Sequence, residues 1–271
     1  MNKKIILLVL IGLILVAFGG LIFWRHYHQP KSAETKTTNT TTPEPTVVNY
    51  PKPESYDVPI LMYHYIRNAE NESDLGKNLS VSPANFEDQL KWLKENNYDT
   101  IKVSDLADPD LKAVSKIIYD KKKPIVLTFD DGYEDAYTAA LPVMQKYEFI
   151  GTFYIIRNSV DKAEYMNQSQ IDKMVEAGME IGSHTLSHID LSTADSSDQR
   201  KQIFESKETT TTFCYPSGKF NVATVSLVKE AGYTSAVTTK SGIANQSSNL
   251  FELPRIRMQD FSGVALGKKL E

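Results

Sequence analysis

The sequence predicts an α/β fold built on a parallel sheet, open or closed into a barrel, preceded by a single N-terminal transmembrane helix. Three observations predict it. Short apolar runs of strand length alternate with segments of helical periodicity from about Val58 to Met258. Polar groups, Asp130-Asp131 and His184 with His188, directly follow two of those runs, where parallel α/β folds keep their sites. Ile5 to Trp24 carry no charged side chain, a run long enough at helical rise to cross the ~30 Å hydrocarbon layer.

The N-terminal region comes first. Residues 1–28 read as a membrane anchor, with a cleavable signal as the alternative. The apolar run exceeds a signal peptide's core, and no small-residue cleavage site follows it. Lys3 and Lys4 ahead of the run keep the N-terminus inside. Residues 29–55, rich in Thr, Pro, Lys and Glu, have too few apolar side chains to bury and read as a disordered tether. The third segment, 56–271, is one globular domain.

Within that domain Val58 to Ile66 is a buried-strand candidate. Ser82-Pro83 opens a helix, Ser as cap and Pro in the first turn, with Phe86, Leu90 and Leu93 at helical spacing. Pro124 to Phe129 is a strand, and Asp135 to Tyr147 a helix kinked at Pro142. Gly151 to Ile156 is a strand. A helix from Ser169 to Ala177 closes at Gly178, and Met179 to His184 is the next strand. A polar helix over Asp195 to Lys207 leads to the strand Thr211 to Tyr215. A helix from Asn221 to Ala231 closes at Gly232. Tyr233 to Thr238 and Leu250 to Met258 complete the strands.

The net charge is −4, and no basic block exceeds short runs such as Lys121-Lys122-Lys123, so a nucleic-acid partner has no electrostatic support. The lone Cys214 excludes an intrachain disulfide and a zinc–thiolate pair, and reads as a small buried hydrophobe. No His-Glu-x-x-His peptidase motif occurs. Three of the five histidines lie in the domain, His64, His184 and His188, each at or just past an expected strand end. Two imidazoles and one carboxylate make a three-ligand set for a divalent cation with positions left open. A second carboxylate would serve as the base such a centre needs.

Thr128-Phe129-Asp130-Asp131-Gly132 and Ser183-His184-Thr185-Leu186-Ser187-His188 resemble the first two motifs of the polysaccharide deacetylase family, carbohydrate esterase family 4 with its NodB-homology domain. Phe213 to Asn221 resembles its third motif, a groove wall. The resemblance implies a distorted (β/α) barrel of about seven parallel strands. It implies Asp130 as general base, and Asp131, His184 and His188 as ligands of zinc, with cobalt, nickel or manganese as alternatives. A backbone N–H near Tyr215 to Ser217 would stabilise the oxyanion. Tyr133, Tyr215, Pro216 and Ser217 are the candidate substrate contacts, the two tyrosines as stacking surfaces for sugar rings.

Two departures stand out. Cys214 occupies the third-motif position usually held by an Arg that tethers the base, and no histidine follows His188 to act as general acid. Val58-Pro59-Ile60-Leu61-Met62-Tyr63-His64 resembles the N-terminal motif of the poly-β-1,6-N-acetylglucosamine deacetylases, which implies His64 as the acid. Leu253-Pro254-Arg255-Ile256-Arg257 resembles their C-terminal strand and implies Arg255 as the tether, with Arg255 and Arg257 sharing one face. The segment between His188 and Phe213 is short for the family, which clips the groove on one side. The expected protein is a monomeric, membrane-held extracellular N-deacetylase of poly-β-1,6-N-acetylglucosamine, or a secreted one if the N-terminal helix is cut. A peptidoglycan deacetylase, an O-acetyl esterase and a non-catalytic glycan-binding domain are the alternatives.

Overall fold

The computed structural model describes residues 49–70 and 72–271. The expected anchor and the tether up to Val48 lie outside the described residues. Among the described residues no helix is long and apolar enough to cross a membrane.

Eight parallel strands form the sheet: β1 (Ile60–Tyr63), β2 (Tyr98–Ile101), β3 (Lys123–Phe129), β4 (Thr152–Ile155), β5 (Glu180–Ser183), β6 (Thr212–Cys214), β7 (Ser235–Val237) and β8 (Ile256–Arg257). Seven lie on one path in the order β7-β6-β5-β4-β3-β1-β8, and β2 branches off β3. Val126 is flanked by Ile60 on one side and Ile101 on the other, whereas Thr128 is flanked by Met62 and Thr152. The β2 branch therefore shares a side of β3 with β4.

The segment before β8 curls the ends of the path toward each other. Leu253 exchanges backbone hydrogen bonds with Ala236 and Thr238 beside β7, and then β8 pairs with β1. The result is a distorted β/α barrel. The long strand expected over Leu250 to Met258 is reduced to Ile256–Arg257, because the chain changes partner strands at Pro254, which has no N–H to give.

Alternation along the strands sets the two faces. Ile125, Leu127 and Phe129 face a core built with Phe86, Leu90 and Leu93 of helix α1 (Pro83–Glu95). Val126 faces the opposite way, in a cluster with Ile60, Tyr154, Cys214 and Val237. Tyr63, Phe129 and Phe153, neighbours on three adjacent strands, stack at 5.1 and 4.5 Å. This ladder fixes register just below the strand ends. The next residues of β1 and β3 are His64 and Asp130, which the shared register brings side by side on the other face.

The helices follow their capping signals. Helix α1 begins at N-cap Ser82 with Pro83 in its first turn. Asn167 and Asn221 close capping boxes on the helices Gln168–Glu176 and Val222–Glu230. Around Pro142 the helix is not uniform. Ala136–Ala140 adopts a π turn, with the Leu141 N–H donated to the Ala136 carbonyl, and a regular helix resumes over Leu141–Lys146. The strand Tyr98–Ile101 and the helices Asp74–Leu79, Lys112–Tyr119 and Gly263–Leu270 join the elements read from sequence.

Gly182 in β5 has no room for a side chain. A Cβ there would lie 2.5 Å from the Tyr154 ring and 2.8 Å from the Thr212 hydroxyl. Gly182→Ala is expected to destabilise the fold by about 1–3 kcal/mol, read as a lowered urea midpoint at unchanged slope.

Candidate active site and metal centre

The site is assembled at the C-terminal ends of the strands. Past β3 the chain turns sharply: Asp131 has φ +75° and Gly132 φ +80°. Only that turn lets two consecutive carboxylates face one cleft, since neighbours on an extended strand point to opposite sides. Past β5, Thr185 and His188 also adopt left-handed backbone, at φ +67° and +55°, and the Thr185 hydroxyl accepts from the His188 N–H at 2.9 Å. Ser217, φ +54°, is a fourth left-handed residue in the turns that carry the cleft's polar groups.

Asp131, His184 and His188 converge. Nε2 of His184 lies 3.4 Å and Nε2 of His188 3.5 Å from the same Oδ1 of Asp131. The Nδ1 atom of His184 is 2.8 Å from the Cys214 carbonyl, to which it donates, and this orients Nε2 toward Asp131. Around a tetrahedral cation with bonds of about 2.0–2.1 Å, ligand atoms lie about 3.3–3.4 Å apart. The separations are long for hydrogen bonds and close to that edge length, so the donor set fits a zinc-like divalent ion. Asp130, His184 and Cys214 also cluster. The neighbouring guanidinium of Arg255 makes that grouping unsuitable for a cation.

Asp130, 4% exposed, is held by Arg255, itself 1% exposed. Nη1 donates to Oδ1 at 2.7 Å and Nη2 to Oδ2 at 2.8 Å. The other donors reach the Thr238 carbonyl from Nε, the Thr128 hydroxyl from Nη1, and Cys214 Sγ from Nη2 at 3.3 Å. All five N–H groups of the guanidinium are used. Burial alone would raise the Asp130 carboxyl's pKa, but Arg255 holds it well below the usual carboxylate range. Nε2 of His64 lies 3.8 Å from Oδ2 of Asp130. Burial, with help from Arg255 and Arg257, outweighs the two aspartates and holds His64 below its ordinary pKa.

The cleft above these groups has a volume of about 750 Å³, and Tyr133, Ser217, Tyr165 and Arg257 contribute to its walls. The expected contacts at Tyr215 and Pro216 need correction. Both are buried and neither lines the cleft. The Tyr215 ring is packed between Phe213 and Phe220 with its hydroxyl donating to the Phe251 carbonyl, because it faces the helix layer rather than the cleft. The Tyr215 N–H is given to the Val237 carbonyl, and Pro216 has none, which leaves the Ser217 N–H as the candidate donor of that stretch. Tyr133 lines the cleft but cannot stack on a sugar as expected, because Tyr65 and Tyr165 lie against its ring. Sequence reasoning passed over Tyr165, an isolated loop tyrosine with no motif around it. Cys214 is buried in the core as expected, and its thiol also touches both Arg255 and Asp130.

A family sequence model described as polysaccharide deacetylase matches residues 118–236. That stretch holds Asp130, Asp131, His184 and His188, while His64 and Arg255 fall outside it. The chain is 32% identical over 227 residues to YxkH of Bacillus subtilis, assigned to the polysaccharide deacetylases, covering 79% of this chain and 76% of that protein. It is 27% identical over 237 residues to the poly-β-1,6-N-acetyl-D-glucosamine N-deacetylase of Staphylococcus aureus, covering 74% and 78%. It matches the structure of the Streptococcus pyogenes deacetylase PplD, solved in complex with acetate, at TM-score 0.70 and 29% identity, covering 79% and 98%.

Arg255→Met would leave a buried, unpaired carboxylate. The expected cost is about 3–5 kcal/mol at pH 7. Asp130, depressed in the wild type, contributes stability above its unfolded value of about 3.9 and loses it as pH falls through the lower folded value. In the variant the folded value rises instead, so the penalty should shrink on acidification toward pH 4. Denaturant titrations of both proteins at several pH values measure the gap.

Proposed function

We propose, from the premise that the chain belongs to the polysaccharide deacetylase family, that it removes N-acetyl groups from an extracellular N-acetylglucosamine polysaccharide, poly-β-1,6-N-acetylglucosamine above the alternatives, with the help of a divalent cation. The observation that carries this reading is Asp130 held between Arg255 and His64, beside the Asp131–His184–His188 cluster. The Staphylococcus aureus relative supports the choice of polymer. So does the position of His64 at the end of β1, in place of a later histidine.

Asp131, His184 and His188 would hold the cation, which supplies Lewis acidity that polarises the acetyl carbonyl and acidifies water. Asp130 takes the proton of the attacking water. Its pairing with Arg255 makes it a weak but well-oriented base, so the proton is better held elsewhere once bond formation is complete. His64, neutral at pH 7 and 3.8 Å away, accepts it and delivers it to the departing amine. The Ser217 N–H donates to the oxygen that gains charge as water adds to the carbonyl. The bond between nitrogen and the acetyl carbonyl carbon breaks, the amine stays on the sugar through its one ring C–N bond, and acetate is the second product.

Extracellular placement rests on Ile5 to Trp24, read as an anchor with Lys3 and Lys4 inside, and cleavage would release a secreted form. The catalytic domain is read as monomeric.

An acetate-release assay with the full-length chain, comparing poly-β-1,6-N-acetylglucosamine oligomers, peptidoglycan, chitin oligomers and acetylated xylan, tests the proposal. Greatest release from the β-1,6 oligomers is expected, with loss on chelation and recovery on adding zinc, cobalt, nickel or manganese. No release from any of these glycans with all four cations supplied would refute it. Asp130→Asn should lower kcat by about 10³ or more while cation affinity, read by titration calorimetry, stays near wild type. His64→Ala should lower kcat by about 10²–10⁴ and also spare cation affinity.

A further inference from the structure

One wall of the cleft is an aromatic stack. Tyr65 lies over Tyr133 with ring centroids 3.8 Å apart and planes 22° apart, and Tyr133 lies 5.1 Å from Tyr165 with planes 30° apart. Tyr65 and Tyr165 both stack on Tyr133, Tyr65 the more closely. The guanidinium of Arg67 sits 3.6 Å above the Tyr65 ring and closes that end. The far end is open: among the described residues no further ring or cation packs on Tyr165, and Tyr165 lines the cleft with His64, Asp130 and His188.

The backbone fixes this end rather than leaving it to a loose loop. Tyr133 and Tyr165 form an antiparallel bridge. The Glu134 N–H is donated to the Glu164 carbonyl at 2.9 Å, and the Met166 N–H to the Gly132 carbonyl at 3.0 Å. Gly132 follows Asp131 directly, so the ring is held at a set distance from the chemistry. The same mouth presents Leu75, 68% exposed. An exposed aliphatic side chain and an unpaired ring face beside a polar floor suit a ligand with one apolar face and many hydroxyls. A β-linked pyranose has that surface, its axial C–H bonds lying over the π face and its hydroxyls free to meet Arg257 and Ser217.

We infer that Tyr165 is the platform on which a pyranose ring of the substrate lies, with Tyr133 and Tyr65 as its support. The inference rests on the polysaccharide reading above. The platform binds the substrate in its ground state and transition state alike, so its loss falls mainly on KM.

The test is steady-state acetate release by the full-length chain with added zinc on a β-1,6-linked N-acetylglucosamine hexamer. Tyr165→Ala is expected to raise KM by about tenfold, with the smaller share of the loss in kcat. Tyr165→Phe should recover most of that affinity, and Tyr165→Leu, which keeps bulk without a ring, only a minor part. Tyr65→Ala, at the closed end of the stack, should lower the thermal midpoint without matching the KM rise. An active wild type with Tyr165→Ala within twofold in KM would overturn the inference alone. So would equal KM losses in Tyr65→Ala and Tyr165→Ala, which would make the stack a matter of rigidity only. No acetate from wild type on any glycan would overturn the parent reading and this inference with it.

Discussion

The fold and the chemistry both depend on the buried ion pair between Arg255 and Asp130. Taking a guanidinium and a carboxylate out of water costs several kcal/mol per ion unless every polar atom finds a partner. Here the guanidinium spends its donors on Asp130, Thr128, Cys214 and Thr238, which come from β3, β6 and the end of β7. Arg255 itself immediately precedes β8. One side chain thus ties together strands from both ends of the sheet path, at the level where the cleft begins. The pair also sets a limit on Asp130, which gains orientation and loses basicity. In the proposed mechanism His64, on the adjacent strand end, offers a second place for the proton.

Much of this was legible because the informative residues are short-range. Asp130-Asp131 and His184 with His188 follow strands that announce themselves by apolar runs, and a parallel sheet converts strand ends into a common site. His64 and Arg255 were legible only through resemblance, since nothing local to Arg255 says that its side chain is buried. A charged residue in a short strand reads as surface until the partner 125 positions away is placed beside it. Tyr215 failed for the converse reason. Its place beside a site motif suggested the cleft, but alternation along β6 aims it at the helix layer with Phe213. The strand Tyr98–Ile101 was missed because its Tyr-Asp-Thr-Ile sequence is half polar, and its Asp99 is satisfied at the edge by Lys122.

The left-handed residues divide along the same line. Asp131, Thr185, His188 and Ser217 all stand at positive φ, which costs about 1 kcal/mol or more each for a residue with a Cβ. Asp131, His188 and Ser217 line the cleft, and buried Thr185 accepts from the His188 N–H beneath it. The barrel supplies rigidity below, through the stacked Tyr63, Phe129 and Phe153, and these loops use it above.

Arg255 comes after His64, Asp130, Asp131, His184 and His188 in chain order. A polypeptide still emerging from the ribosome therefore carries the Asp131, His184 and His188 cluster before Asp130 has its guanidinium partner. The buried ion pair, and with it the pairing of β8 with β1, can form only once this late segment has been made.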